Sequence, residues 1–292
     1  MIEHIRFPDH TVGPVLGGPA SYASVTLGML GRKTGLVTKI GRDMPKELLQ
    51  PVVESGIDTT GMQIVGDCTR TTILEYDPEG NKRARFQKTA PELTVEDLPQ
   101  SYLTAEAFLV CPMDFEVSDR TVRRLSQQVS GKLVADLGGF GGAPSSVHPI
   151  SDSGCRNAFE KVVRHFDVIK ASLEDCWHIF GRNISPRSAV EILSSYGATI
   201  VLLTLGSNGS IFWSKNEGIR TVPTYPGRVI DTTGAGDVYI AAFVSEMVRS
   251  GDHFGAALFA AAAASIIIEK SGGAVKARMP TDVEVRRRLV SV

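Results

Sequence analysis

From about residue 100 onward, short apolar runs alternate with stretches of helical periodicity, and that alternation restricts the fold more than any other feature of the chain. TIVLLTL (199–205) is fully apolar and ends at Gly206. AFLVC (107–111), KLVAD (132–136) and FDVIK (166–170) are similar runs. Between and after them, helical patterns occupy 117–129, 157–166, 174–180, 187–196, 236–250, 254–268 and 282–290. Strands that are apolar along their whole length have no face to offer water. They belong to a parallel sheet covered by helices on both sides. Right-handed crossovers then make the fold doubly wound.

Residues 61–87 read differently. GMQIVGDC, TRTTILEYD and KRARFQK are short runs with polar alternation, and PEGN (78–81) is a turn sequence between two of them. They predict a small antiparallel flap, inserted after an early helix (19–30) and a β-α unit (35–56). The expected architecture is an α/β body with this flap attached. In open α/β sheets ligands bind beyond the carboxyl ends of the strands. DTTGAGD (231–237), GGPAS (17–21) and TLGSNG (204–209) all come after strand-like runs, so all three are expected to converge there.

Composition excludes several classes. The chain has 292 residues, 31 basic and 32 acidic, with a net charge of −1. That balance offers nothing global to nucleic acid or an anionic membrane. The longest uncharged apolar run, 255–268, is short of the roughly 18 residues that suggest a membrane span. The four cysteines are scattered without C-x-x-C, which fits reduced thiols in a cytoplasmic protein. The N-terminus is charged and broken by Pro8, unlike a signal peptide.

DTTGAGD carries the chemistry. Gly234, Ala235 and Gly236 precede an apolar helix, whose first amides lack internal partners and carry the positive end of its dipole. Glycines let those amides point together at an anion, as a phosphoryl group in transfer requires. Asp237, in the first turn, is placed to take a proton from an attacking hydroxyl. Asp231 is a second carboxylate, suited to hold a cation or the loop. Taken alone, G-x-G-D also describes an ordinary helix start after a turn. GGPAS offers two glycines for close approach to a ligand and Pro19 to open a helix; it too reads alone as a plain turn. No P-loop, no G-x-G-x-x-G and no H-E-x-x-H occurs; the glycines of DLGGFGG (136–142) miss the dinucleotide spacing. His148 and His253 read as structural or solvated, and RRR (286–288) as one solvated helix face.

With these residues in view, the chain resembles the ribokinase-like (PfkB) carbohydrate kinases. DTTGAGD and its helix look like the family's second signature, and residues 17–43 like the first. TLGSNGS, the alanine-rich helix, SGGA (271–274) and Pro280 fall in the right order, so the resemblance spans nearly the whole chain. It implies a single domain over 1–292, with the flap, mainly 61–88 and part of 8–16, acting as a lid and as the contact of a homodimer. It implies ATP-dependent phosphorylation of a hydroxyl on a small sugar, polyol or nucleoside, with magnesium. Asp237 would be the base; Gly234, Ala235 and Gly236 the anion hole; Gly17 and Gly18 the acceptor side. Thr204, Gly206, Ser207 and Gly209 would contact the nucleotide, and Asp231 and Thr233 a potassium ion.

The chain departs from the family in three ways. Where the family's N-x-x-E motif arranges the water shell of magnesium, this chain has Ser172 and Asp175. SYAS (21–24) stands where relatives carry Asn. IEHIRF (2–7) matches the segment just after the family's first strand; either that strand is missing, which would leave the sheet open and the site short of one carboxylate, or the start codon was assigned late. DLGGFGG replaces charged contacts and leans toward a neutral polyol. The alternatives are a nucleoside kinase of the same fold, or a catalytically weak ligand-binding regulator.

Overall fold

Of the apolar runs, KLVAD, FDVIK and TIVLLTL become inner strands of a six-stranded sheet, as their lack of a polar face requires, and AFLVC forms one of its edges. The computed structural model describes residues 1–78, 82–113, 116–140 and 152–290. The expected turn at 79–81, Gly141, Gly142 and His148 lie outside them. The first part of the chain runs β1 (Ile2–Arg6), β2 (Thr11–Leu16), α1 (Pro19–Met29), β3 (Thr38–Ile40), α2 (Lys46–Glu54), β4 (Met62–Ile64), β5 (Thr71–Tyr76) and β6 (Lys82–Lys88). Next come β7 (Ala107–Val110), α3 (Asp119–Gln128), β8 (Lys132–Asp136), α4 (Asp152–Val163), β9 (Val168–Ser172), α5 (Leu173–Phe180), α6 (Pro186–Ser195) and β10 (Ile200–Thr204). The last part holds β11 (Ser210–Ser214), β12 (Gly218–Val222), α7 (Ala235–Ser250), α8 (His253–Ile267) and α9 (Asp282–Leu289).

The main sheet has the order β12-β11-β10-β9-β8-β7. Strands β7 to β10 are parallel, and β11 and β12 close one edge as an antiparallel hairpin. Because successive side chains of a strand point to opposite faces, each central strand feeds two cores. Val134, Val168 and Leu202 pack with α1, α7 and α8; Leu133, Ile169, Val201 and Leu203 pack with α3 to α6. At the ends of the strands, Lys170 of β9 lies opposite Asp136 of β8, and Ser172 opposite Thr204 of β10.

The flap is a four-stranded sheet, β2-β1-β5-β6. It differs from the expectation in two ways. Strand β1 enters it parallel to β5, with Ile2 opposite Thr71, so the flap is mixed rather than antiparallel. Strand β4 is not part of it, and pairs in parallel with β3 as a separate two-stranded sheet. A small apolar cluster of Ile5, Leu74 and Ala84 holds the flap together.

Candidate active site

The start of α7 is built around Gly234. This residue is left-handed, with φ of 80°, and a Cβ on it would come within 2.5 Å of the Tyr22 ring of α1. Only glycine takes that conformation at that spacing without strain. Asp237 lies in the first helical turn. The Ala235 N–H donates to the Thr232 carbonyl at 3.1 Å. That amide of the expected trio is therefore committed inside the loop.

Behind the helix start lies a charge that the sequence alone does not single out. Lys170 Nζ donates to Asp136 Oδ2 at 2.8 Å, with both side chains more than nine-tenths buried. A Cβ on Gly236 would lie 2.7 Å from that Nζ, so the ammonium sits against the glycine turn. Burial alone would pull the Lys170 pKa down. Asp136, Asp175 and Asp237 outweigh it and push the pKa up, which keeps the group charged. Asp237 answers to the same cluster. Burial and then repulsion from Asp136 raise it, Lys170 and Lys82 lower it, Glu3 raises it, and the net result is about 7.

Ser172 and Asp175 form a capping box at the start of α5. Asp175 N–H donates to Ser172 Oγ at 3.0 Å, and Ser172 N–H donates to Asp175 Oδ2 at 2.6 Å. Ser172 thus serves the helix, not the cleft. Asp175 Oδ1 stays outside the box. It lies on the same side as Asp136 Oδ1, the two oxygens being 3.8 and 3.5 Å from where a Cβ on Gly138 would sit, and Asp136 Oδ1 also accepts from Gly138 N–H at 3.1 Å. Among the described residues no cluster of three or more His, Cys, Asp and Glu side chains is placed to hold a metal alone. Magnesium commonly takes one or two carboxylates, waters and substrate phosphates, and two acidic oxygens on the same side fit that mode.

A buried carboxylate that the sequence does not single out lies beside GGPAS. Glu3 of β1 is buried; its Oε1 accepts from Gly18 N–H at 2.9 Å and its Oε2 from Tyr22 Oη–H at 3.4 Å. Burial raises its pKa, opposed by the Gly18 hydrogen bond, the N-terminal amine, Lys82 and Tyr22. Glu3 holds GGPAS in place and belongs to the charge field around Asp237.

On the other flank, Thr204 ends β10, with Oγ1 donating to the Ala171 carbonyl at 3.4 Å. Gly206, Ser207 and Gly209 form the turn into β11, which is tied by Leu205 N–H to the Gly209 carbonyl at 2.8 Å. Gly206 and Ser207 are exposed. This turn lies beyond the carboxyl end of the same strand row that carries Asp136, Lys170 and Ser172.

Asp231 and Thr233 do not present free oxygens to a monovalent cation. Asp231 Oδ1 accepts from Thr233 N–H at 2.8 Å and Oδ2 from Ser271 Oγ–H at 3.0 Å. The Arg278 guanidinium pairs with Oδ2 at 3.3 Å and donates to the carbonyls of Asp231 and Thr233, both at 2.9 Å. The expected potassium site is occupied by a side chain, and a potassium ion does not fit beside it.

The flap reaches this loop. Tyr76 Oη and Thr233 Oγ1 are 2.8 Å apart. Lys82 lies opposite Tyr76 in the β5–β6 pair, hence on the same face of the flap. Crowding pulls its pKa down, and Tyr76, Asp237, Asp175 and Glu3 together push it up. A surface concavity of about 390 Å³ beside Phe180 and Arg182 contains none of these residues.

Three residues of the cluster escape a reading of the sequence. Lys170 carries a signal: a lysine inside an otherwise apolar strand needs a buried partner. Glu3 and Arg278 carry none, since their roles depend on pairings far apart in the chain.

The pattern of the pfkB family carbohydrate kinases matches residues 7–281. A cytidine kinase of Thermococcus kodakarensis is 26% identical over 250 residues, covering 85% of this chain and 86% of that one. A nucleoside kinase of Methanothermobacter thermautotrophicus is 28% identical over 267 residues, covering 88% and 79%. A fructokinase of Vibrio cholerae O395, solved with fructose, ADP and a calcium ion, superposes with a TM-score of 0.80 over 99% of this chain and 96% of its own, at 18% identity.

Proposed function

This chain belongs to the pfkB family of carbohydrate kinases, and from that premise we propose that it transfers the γ-phosphoryl group of ATP to a hydroxyl of a small sugar or polyol, with Asp237 as the base. The observation that carries this reading is Asp237 itself. It sits in the first turn of α7, directly after the glycine turn, with its pKa raised to about 7. A base poised near neutrality combines a useful ionised fraction with real basicity.

The acceptor oxygen attacks the γ-phosphorus while its proton passes to the Asp237 carboxylate. The new P–O bond forms as the bond to the β–γ bridging oxygen breaks, and that electron pair leaves on ADP. Charge on the transferred group meets the amides of Gly234 and Gly236 and the positive end of α7. Lys170, fixed by Asp136, adds a buried cation at the same place. Magnesium, when bound with the nucleotide, offsets phosphate charge; Asp175 and Asp136 would hold its water shell. Thr204, Gly206, Ser207 and Gly209 line the nucleotide side. Gly17 and Gly18, braced by Glu3, line the acceptor side. The flap closes over both and excludes water, which would otherwise accept the phosphoryl group. Its outer edges are the expected contact of a homodimer.

A nucleoside acceptor is a second reading, favoured by one feature. Phe7 stacks on Tyr76 in the flap at 5.3 Å and 11°, and Tyr76 touches the catalytic loop. That places an aromatic surface where a base could stack, and two relatives named above are nucleoside kinases. The test is ADP release from MgATP across ketoses, aldoses, inositols and nucleosides, with Asp237→Asn as control. Turnover with one class, lost in the variant, supports the reading and selects the acceptor. Turnover that survives in Asp237→Asn removes Asp237 from the role of base.

A further inference from the structure

We infer that Arg278 is a built-in cation that takes the place of a monovalent metal ion beneath the anion hole, so that this protein works without potassium. The guanidinium is 1% exposed. Besides its contacts to Asp231 and Thr233, its Nε donates to the Lys270 carbonyl at 2.7 Å and its Nη1 to the Gly273 carbonyl at 3.4 Å. Four carbonyls and one carboxylate thus surround one positive charge. They come from two loops: the one that leads into Gly234, and the one after α8.

A ring of carbonyls with one carboxylate is what a bare cation would need to replace its water shell. Here a planar group with five fixed donors meets that demand. The arginine is charged at every working pH, and its backbone is held in the turn after Gly273, where Arg278 N–H donates to the Val275 carbonyl at 3.0 Å. The ion is therefore tethered and always present. What a free ion would supply by binding, the ordering of the 231–233 loop, is supplied by the chain. The inference deepens the kinase reading, since that loop leads to Asp237, but it does not need turnover to be tested.

Melting temperature is measured in potassium, sodium and choline chloride at matched ionic strength, for the wild type and for Arg278→Ala. The wild type is expected to melt at the same temperature in all three. Arg278→Ala removes one partner of a buried pair and is expected to fall by about 10 °C, with potassium restoring part of the loss relative to choline. Should that variant fail to fold, Arg278→Lys, which retains a charge, is expected to fold and to melt below the wild type, at the same temperature in potassium and choline. A wild type stabilised or activated by potassium over choline would overturn the inference. So would an Arg278→Ala protein that is as stable as the wild type, or indifferent to potassium. Because melting needs no substrate, a protein with no turnover on any acceptor would sink the kinase reading and leave this result standing.

Discussion

Replacing Asp237 by Asn should make the protein more stable as it makes it inactive, and the two effects should share one pH dependence. In the fold this carboxyl rises from 3.8 to about 7, chiefly through burial and the nearby Asp136. Three units correspond to about 4 kcal/mol of differential stability. Asp237 keeps part of its surface open to water, and screening reduces the figure to roughly 1–3 kcal/mol. The sign is fixed by linkage: the folded state holds the proton through a pH range where the unfolded chain has lost it. Stability is therefore full below about pH 4, declines as pH rises toward 7, and levels off above. Asparagine mimics the neutral acid and removes that decline. Urea denaturation of both proteins between about pH 5 and 8.5 should show the variant gaining on the wild type as pH rises to about 7, with a constant advantage beyond. The acid limb of wild-type kcat/KM should fall at the same pH, since the base must be ionised. At pH 8 the variant should lose on the order of 10²–10⁴-fold in kcat. A stability difference that does not change with pH, or a variant less stable than the wild type at pH 8, would refute the argument that the base is held against its preference by its surroundings.

Other substitutions test neighbouring parts of the cluster. Lys170→Met strips the buried Asp136 of its partner and should cost about 3–5 kcal/mol in urea denaturation; because Lys170 lowers the Asp237 pKa, the acid limb of kcat/KM should move to higher pH, and an unmoved limb would count against their coupling. Lys82→Met should leave stability nearly unchanged, lower kcat and move the same limb upward; a variant with wild-type kcat and pH profile would place Lys82 outside the reaction. Gly234→Ala forces a side chain into a left-handed position and against Tyr22, and should cost roughly 1–3 kcal/mol in thermal unfolding, an effect that Tyr22→Ala relieves only in part because the backbone strain persists.

The sequence reveals most where a local pattern has a single three-dimensional answer. KLVAD is the strand Lys132–Asp136 residue for residue, and the helices after 230 end within a residue or two of their expected bounds. DTTGAGD is legible because a glycine turn, a helix start and an acid lie together in seven residues. The illegible parts depend on distant pairing. SIFWS and GIRTV escape notice because their partly polar pattern matches an edge hairpin that only β10 defines. Glu3 enters the site because β1 joins β5 nearly 70 residues later. Arg278 reads as one more basic residue until the fold brings it to the carbonyl of Asp231, 47 residues away. Ser172 stands where a metal-shell residue is sought, and its caps on α5 show that a helix start can take over such a position.

The parity of the central strands has an evolutionary consequence. Helices α1 and α7 share one core, whereas α3 to α6 share the other. Between them stands a sheet whose alternate side chains hardly consult one another. Drift in the second core can reshape the outer surface, while the GGPAS loop and Asp237 keep their mutual distance. On the proposed reading, a change of acceptor falls instead on the first core, where Tyr22 already rests against Gly234. The second core is thus the freer of the two to drift.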